Sequence, residues 1–147
     1  MRHTDLHAIQ NLLARFANSF DLKDWDALRD CLTVSVYTDY SELRGTPPEQ
    51  ISNQQYADLR RIALQDLLTH HVSGNTEIDL DDDTGDTGKA RVSSVIYRKN
   101  SQGETLHTHC LYQFGLQKQD GQWLINAIIQ KVFWSDGQAG IHRGIVK

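Results

Sequence analysis

From Thr69 onward, the chain consists of segments in which apolar and polar residues roughly alternate. This alternation is typical of β-strands that bury one face, because successive side chains of a strand point to opposite sides. The segments are separated by short stretches rich in Gly and small polar residues, which favour hairpin turns. The pattern therefore predicts an antiparallel meander of four strands. They are placed at about residues 69–81, 89–99, 104–118 and 122–134.

The first part of the chain has helical periodicity instead. Apolar residues recur at intervals of three and four over about residues 5–20, which predicts an amphipathic helix of about four turns. A second, shorter apolar face begins at Trp25, and a third helix is predicted at about residues 50–68. Between these two, the β-branched and aromatic residues of 33–43 indicate a strand that joins the edge of the meander.

Together these elements predict an α+β fold. We expect three N-terminal helices to pack on one face of a strongly curved, mainly antiparallel sheet, which would enclose a cavity between sheet and helices. The 147 residues are enough for one domain with a real core, so residues 1–147 are interpreted as a single domain.

The composition argues against several classes of partner. The net charge is -4 and the 15 Lys and Arg residues are scattered, so neither nucleic acid nor an anionic membrane surface is an expected partner. No apolar stretch approaches the roughly 20 residues of a membrane span, and the N-terminal residues lack the apolar region of a signal peptide. We therefore expect a soluble, cytoplasmic protein. The two cysteines are far apart and indicate neither a disulfide framework nor a zinc knuckle.

Two adjacent histidines, His70 and His71, stand at the start of the first meander strand. Only one of them can face the core, because neighbouring side chains of a strand point to opposite sides. The local pattern does not decide which. An inward histidine with a carboxylate partner would have the elements of a general base, since the carboxylate fixes the tautomer and leaves the second ring nitrogen free.

The remaining histidines give weaker signals. His107 and His109 share one face of the third meander strand, and the opposite, mainly apolar face is expected inside, so neither histidine should line the cavity. A metal site there would need a third ligand, and none is evident. The acidic stretch 79–86 lacks the spacing and closing Glu of an EF-hand loop. No metal is therefore expected.

Three stretches, at residues 16–40, 69–75 and 119–127, resemble scytalone dehydratase and the wider SnoaL-like group of the nuclear-transport-factor-2-like superfold. The most specific of them contains the motif D-x-K-D-W-D-x-L, which begins at Asp21. The resemblance covers most of the chain and implies a cone-shaped fold. In that dehydratase an Asp after the first helix orients a His at the start of a long strand, and a Tyr near the end of the first strand helps position a water.

Matched residue by residue, the resemblance places this Asp at Asp21, the His at His71 and the Tyr at Tyr40, and we predict these three as catalytic residues. His71 is then the inward histidine, and His70 points outward. The predicted substrate-binding residues, of which the first two follow from the same alignment, are Cys110, Tyr112, Phe20 and Trp25.

Simpler interpretations of the same residues remain open. Asp21 precedes Asp24 by three residues in front of an apolar face, so it also fits the N-cap of the second helix. His71 on its own fits a hydrogen-bonded structural histidine, and Tyr40 on its own fits an ordinary strand aromatic.

The chain departs from the dehydratase at three places. Phe20 stands where the dehydratase has a second catalytic Tyr, and Tyr97 or Arg98 stands where it has a second catalytic His. The C-terminal extension that covers the cavity is shortened here. Scytalone is therefore not the expected substrate. What remains is a His-Asp base under an apolar vault, which suits a cofactor-independent lyase or isomerase acting on a small, largely apolar cyclic or polyketide-like substrate.

A non-catalytic role is the alternative. The same superfold serves as a small-molecule-binding module and as the small partner subunit of ring-hydroxylating dioxygenases, and fold alone does not separate these uses. The resemblance also implies self-association through the exposed sheet face, so we expect a homo-oligomer, either a dimer or a trimer.

Overall fold

The computed structural model describes residues 2–83 and 85–142. Four helices and six strands alternate in the order α1 (Arg2–Leu22), α2 (Trp25–Asp30), β1 (Leu32–Asp39), α3 (Ser41–Arg44), β2 (Glu49–Ser52), α4 (Asn53–Ala63), β3 (Leu68–Leu80), β4 (Thr87–Lys99), β5 (Thr105–Gln119) and β6 (Gln122–Gly137), and a 3₁₀ turn (Ala139–Ile141) follows. The predicted α+β class is confirmed.

All strands belong to one mixed sheet in the order β2-β1-β6-β5-β4-β3. The predicted antiparallel meander is formed by β3, β4, β5 and β6, and the early strand β1 joins it at β6. The pair of β1 with β6 is parallel, and every other pair is antiparallel.

The prediction of a strongly curved sheet was wrong, because the sheet is not strongly curled. Its two outer strands, β2 and β3, do not pair with each other, so the sheet stays open. In addition, β4 and β5 pair residue by residue from Thr87 with Gln117 to Lys99 with Thr105, without a register shift. The register shifts of the meander, which can bend a sheet, lie instead in its flanking pairs, once in β3 with β4 and twice in β5 with β6.

The segment between β1 and α4 also differs from the prediction. The strand expected at 33–43 ends at Asp39, and a short helix follows that closes at Gly45 with a φ of 72°. The helix expected at 50–68 begins only at Asn53, where the Ser52 side chain accepts a hydrogen bond from the amide of Gln55. The residues just before it form β2, which pairs with β1. β2 has only four residues, which are too few to show the alternation of a strand, so the sequence did not predict it.

Helix α1 supplies much of the core. Its apolar stripe is buried, and the ring of Phe16 packs edge-on against Tyr112 at 6.2 Å and Phe114 at 5.3 Å between ring centroids. The inward face predicted for β5 is confirmed, because its alternate residues from Leu106 to Leu116 are buried. None of the helices in the described part of the chain is long and apolar enough to cross a membrane.

Candidate active site

Asp21 and His71 meet where the last turn of α1 lies against the start of β3. Asp21 Oδ1 is 2.7 Å from His71 Nδ1, and Asp21 Oδ2 accepts a hydrogen bond of 2.8 Å from the backbone N–H of His71. The hydroxyl of Thr69 donates to Asp21 Oδ1 at 2.9 Å. One carboxylate therefore holds both the ring and the backbone of His71, which restricts the imidazole to one orientation.

The protonation of this pair follows from its contacts. Burial alone would raise the pKa of Asp21, but the hydrogen bonds from the His71 side chain and backbone outweigh it and lower this pKa below its usual value. An ionised carboxylate only accepts hydrogen bonds, so Nδ1 of His71 must carry the proton. In the neutral ring Nε2 is then the basic nitrogen, and it forms no hydrogen bond with any residue in the described ranges.

The capping interpretation of Asp21 is not what the structure shows. Asp24 is the N-cap of α2, and its side chain accepts a hydrogen bond of 3.1 Å from the amide of Ala27. Asp21 lies inside α1, which extends to Leu22. The carboxylate of Asp21 therefore does not cap α2, while its catalytic role stays a prediction.

His71 lies between two small cavities. The first, which we call the arginine pocket, has a volume of about 30 Å³. It is lined by Phe20, Tyr40, Leu43, Arg44, Arg60, Leu64, Thr69, His71, Ile96, Arg98, Tyr112, Gln130 and His142. The second, which we call the apolar pocket, has a volume of about 10 Å³. It is lined by Leu13, Phe16, Ala17, His71, Ser73, Val92, Ser94, Tyr112 and Phe114. His71 and Tyr112 line both.

Four of the predicted site residues thus share the arginine pocket: Phe20, Tyr40, His71 and Tyr112. The three others, Asp21, Cys110 and Trp25, do not line either cavity, and Asp21 reaches the pocket only through its contact with His71. Cys110 is buried, its sulfur accepts a hydrogen bond from Gln130 Nε2, and burial raises the pKa of its thiol to about 11. The ring of Trp25 contacts the edge of Phe20, 6.3 Å away. Cys110 and Trp25 therefore lie behind the pocket wall, and their role in substrate binding stays a prediction.

Tyr40 has a partner that the sequence did not suggest. Its hydroxyl is 2.6 Å from that of Tyr56, which α4 holds fully buried. Burial raises the pKa of Tyr56 well above its usual value, so this phenol keeps its proton. Each hydroxyl has a single proton, so one of the two tyrosines donates and the other accepts. In either case the hydrogen bond with Tyr56 sets the orientation of the Tyr40 hydroxyl.

The outward face of the sheet contains a larger depression of about 570 Å³, lined mostly by residues of β3, β4 and β5 such as Glu77, Lys89 and Gln113. It lacks a histidine, so the smaller cavities are the better candidate site. His107 lies against Tyr97 and His109 is stacked on Trp134, away from both cavities. His70 is exposed. Among the described residues no three His, Cys, Asp or Glu side chains are grouped as metal ligands.

The sequence profile of the SnoaL-like domain matches residues 1–128. The chain belongs to the SnoaL-like domain family. Scytalone dehydratase-like protein claB of Passalora fulva is 24% identical over 143 residues, which cover 91% of this chain and 88% of that protein. The predicted resemblance is confirmed.

Solved structures with the same fold include the Kfla4162 protein of Kribbella flavida, with a TM-score of 0.88, 18% identity and coverage of 96% of this chain and 98% of that one. Hexachlorocyclohexane dehydrochlorinase LinA-type3 of Novosphingobium barchaimii has a TM-score of 0.74, 14% identity and coverage of 96% and 94%. Scytalone dehydratases, which are lyases, are thus among the proteins of similar sequence, and a dehydrochlorinase is among the structures of similar fold.

Three arginines line the arginine pocket of this SnoaL-like protein, and the sequence did not predict that they lie together. In β4, Arg98 points inward and is 4% exposed, whereas its neighbour Tyr97 points outward. Arg60 is buried one helical turn after Tyr56, on the inward stripe of α4. Arg44 comes from the short helix α3. The one signal for Arg60 was its spacing of four residues from Tyr56, which puts both on the same face of α4. Charged residues are rarely buried without a partner, so this signal alone did not predict a buried arginine.

Proposed function

We propose that this protein is a cofactor-independent lyase or isomerase in which Nε2 of His71 removes a proton from a carbon atom of a small cyclic substrate. The observation that supports this most is the 2.7 Å contact between Asp21 Oδ1 and His71 Nδ1 in the wall of a pocket. Such a pair holds the imidazole in the tautomer that accepts a proton and stabilises the imidazolium that forms.

In the dehydration form of the reaction, the C–H electron pair becomes an enolate and then the new carbon–carbon double bond. The C–O bond to the leaving hydroxyl breaks, and the imidazolium of His71 returns its proton to the departing oxygen, so that water is released. Elimination of a halide and isomerisation begin with the same proton abstraction. The first step therefore defines the family of reactions, and the leaving group decides among them.

Tyr40 is the proposed hydrogen-bond donor to the substrate carbonyl oxygen or to a water bound on it. Tyr40 lines the pocket, and its hydroxyl keeps its proton for the substrate when it accepts the hydrogen bond of Tyr56. A hydrogen bond to the carbonyl oxygen is strongest when that oxygen becomes negative, so it favours the enolate over the ground state.

Substrate binding requires the pocket to widen. A cavity of about 30 Å³ has room for a single water, whereas a cyclic substrate is many times larger. His142, which follows the 3₁₀ turn after β6, is buried in the wall of this pocket. Burial and the charges of the neighbouring arginines lower the pKa of His142 to about 3, so it is neutral at pH 7. We propose that this turn moves when a substrate enters.

Proton abstraction can be measured without knowing the natural leaving group. In D₂O, an enzyme that forms an enolate exchanges the α-hydrogens of a cyclic ketone for deuterium, which NMR detects. We expect the wild-type chain to catalyse exchange in at least one member of a ketone panel, and His71→Ala to slow it by about 100- to 10,000-fold, the usual contribution of a positioned general base. The matched control is His70→Ala, whose imidazole is exposed on the other side of the same strand.

Two outcomes would contradict the proposal. If His71→Ala exchanges as fast as wild type, His71 is not the base. If ketones bind to the wild-type pocket and none exchanges, the chain is a binding module.

A further inference from the structure

We propose that the arginine pocket binds a carboxylate group of the substrate through Arg44, Arg60 and Arg98. This inference rests on the proposed function. It narrows the substrate class to cyclic carbonyl compounds that carry a carboxylate.

The three arginines reach one small pocket from three different elements, α3, α4 and β4. Arg60 and Arg98 are each 4% exposed. Burial and the nearby charge of Arg60 lower the pKa of Arg44 to about 10, which still leaves it charged at pH 7. Three positive charges are therefore concentrated where water is largely excluded.

No carboxylate neutralises these charges in the described part of the chain. The residues that line the arginine pocket include no Asp or Glu, and none of the three guanidinium groups forms a salt bridge with a described residue. At the surface, by contrast, Arg29 and Arg91 do form salt bridges with acidic residues. Buried charges are normally paired, since removing an ion from water is costly.

Neutral groups hold the guanidinium groups in place. Arg60 lies over the rings of Tyr40 and Tyr56, with its Cζ 4.6 and 4.2 Å from their centroids, and Arg44 lies 4.9 Å from the Tyr40 centroid. Arg98 donates a hydrogen bond of 2.7 Å to the hydroxyl of Thr108. These contacts orient the arginines and leave their net charge unchanged.

Two of the buried N–H groups have no partner among residues 2–83 and 85–142. Arg44 Nε and Arg60 Nη1 are both inaccessible to solvent and form no hydrogen bond with a residue in the described ranges. A buried donor without an acceptor destabilises the fold, and a guanidinium group binds carboxylate oxygens in a planar, two-pronged geometry. A carboxylate would therefore supply both the missing acceptors and the missing charge.

The second cavity indicates the rest of such a ligand. On the other side of His71 and Tyr112, the apolar pocket is formed mainly by Leu13, Phe16 and Val92. A ring in that direction and a carboxylate among the arginines would place the intervening carbons beside His71. The arrangement favours an amphipathic cyclic acid over a wholly apolar substrate.

The test compares three probes of nearly equal shape: benzoate, benzamide and benzyl alcohol, titrated into the wild-type chain by calorimetry at low chloride. We expect benzoate to bind at least 10-fold more tightly than either neutral probe. Arg44→Met and Arg98→Met should each weaken benzoate binding at least 10-fold and leave the neutral probes unchanged. Arg61→Met is the matched control, because Arg61 neighbours Arg60 in α4 and its side chain is half exposed.

Arg60→Met is not the primary variant, since Arg60 packs against two tyrosine rings and its loss threatens folding. Circular dichroism and the midpoint of thermal unfolding show whether Arg44→Met and Arg98→Met are folded. Arg60→Lys keeps a charge but loses the planar donors, and it should weaken benzoate binding while remaining folded.

Three outcomes would overturn the proposal: equal affinity for benzoate and benzamide, no binding of benzoate, and equally tight binding of chloride, which would mark a site for inorganic anions.

The benzoate-binding test is independent of the proton-abstraction test. His71→Ala should still bind benzoate, so a chain that binds benzoate without exchanging ketones loses the proposed base and keeps the anion site. A chain that exchanges ketones without binding benzoate loses the anion site alone.

Discussion

Asp21→Asn is the substitution that separates a working base from a structural histidine. The carboxylate of Asp21 accepts hydrogen bonds from both the ring and the backbone of His71. An amide can replace only one of its two oxygens. If the amide oxygen faces Nδ1, the amide NH₂ faces the backbone N–H of His71, and two donors oppose each other. If the amide is turned round, its NH₂ donates to Nδ1, and the proton of the ring moves to Nε2, the atom proposed to act as the base.

The expected magnitudes follow from these two arrangements. Either one loses a hydrogen bond to a charged group, which lowers the free energy of unfolding by about 1.5–3 kcal/mol. The second also removes the basic nitrogen from the pocket, and both remove the charge that stabilises the imidazolium. We therefore expect proton abstraction to slow by about 100- to 10,000-fold, equivalent to about 2.7–5.4 kcal/mol in the barrier.

The assay is deuterium exchange into a cyclic ketone, with urea unfolding of the same protein sample as the measure of stability. Asp24→Asn is the control, because Asn caps a helix about as well as Asp and Asp24 caps α2. That variant should be nearly unchanged in both measurements. If Asp21→Asn is folded and less stable but exchanges as fast as wild type, Asp21 only ties α1 to β3, and the reasoning is refuted.

Three further predictions follow from the same contacts. The pKa of Asp21 is lower in the folded chain than in the unfolded one, so its contribution to stability is complete above about pH 4 and is lost as the pH falls through the folded value; acid unfolding of Asp21→Asn should lack this component. Tyr56→Phe removes the partner of the Tyr40 hydroxyl and should slow exchange about 10-fold, less than Tyr40→Phe, while a rate equal to wild type would show that Tyr56 does not orient Tyr40. Light scattering should give the mass of a dimer or trimer, and Phe133→Glu, on the exposed part of β6, should lower it, whereas a wild-type monomer at micromolar concentration would contradict self-association.

Much of the fold was predictable because its signals are local. The period of two along β5 placed its alternate residues on the buried face correctly, since a strand needs only its own side chains to show which face is apolar. The short strand β2 and the open, weakly curved sheet could not be predicted in this way. Both depend on which strands pair and on where the register shifts, and the alternation within one strand does not show which strand is its partner.

The candidate site shows the same limit at the level of side chains. Strand direction correctly put Cys110 and Tyr112 on one face, but it says nothing about depth, and Gln130 from β6 lies next to Cys110. Arg60 was missed for a different reason. An arginine on the inward stripe of a helix is destabilising unless other elements supply partners, and these partners, Tyr40 above all, come from elsewhere in the chain.

The arginines also change what the base must do. The proton transfer places a positive charge on His71 and a negative charge on the substrate, so the net charge of the pocket does not change. Asp21 offsets one charge directly through its contact with His71. A substrate carboxylate would offset a second, and the enolate formed in the reaction would be a further anion in the same field. A keto acid would in addition be held in place by the arginines, whereas a neutral ketone of the same shape would not. Exchange in the keto acid should therefore be the faster of the two, and Arg44→Met should reduce that difference while Arg61→Met preserves it.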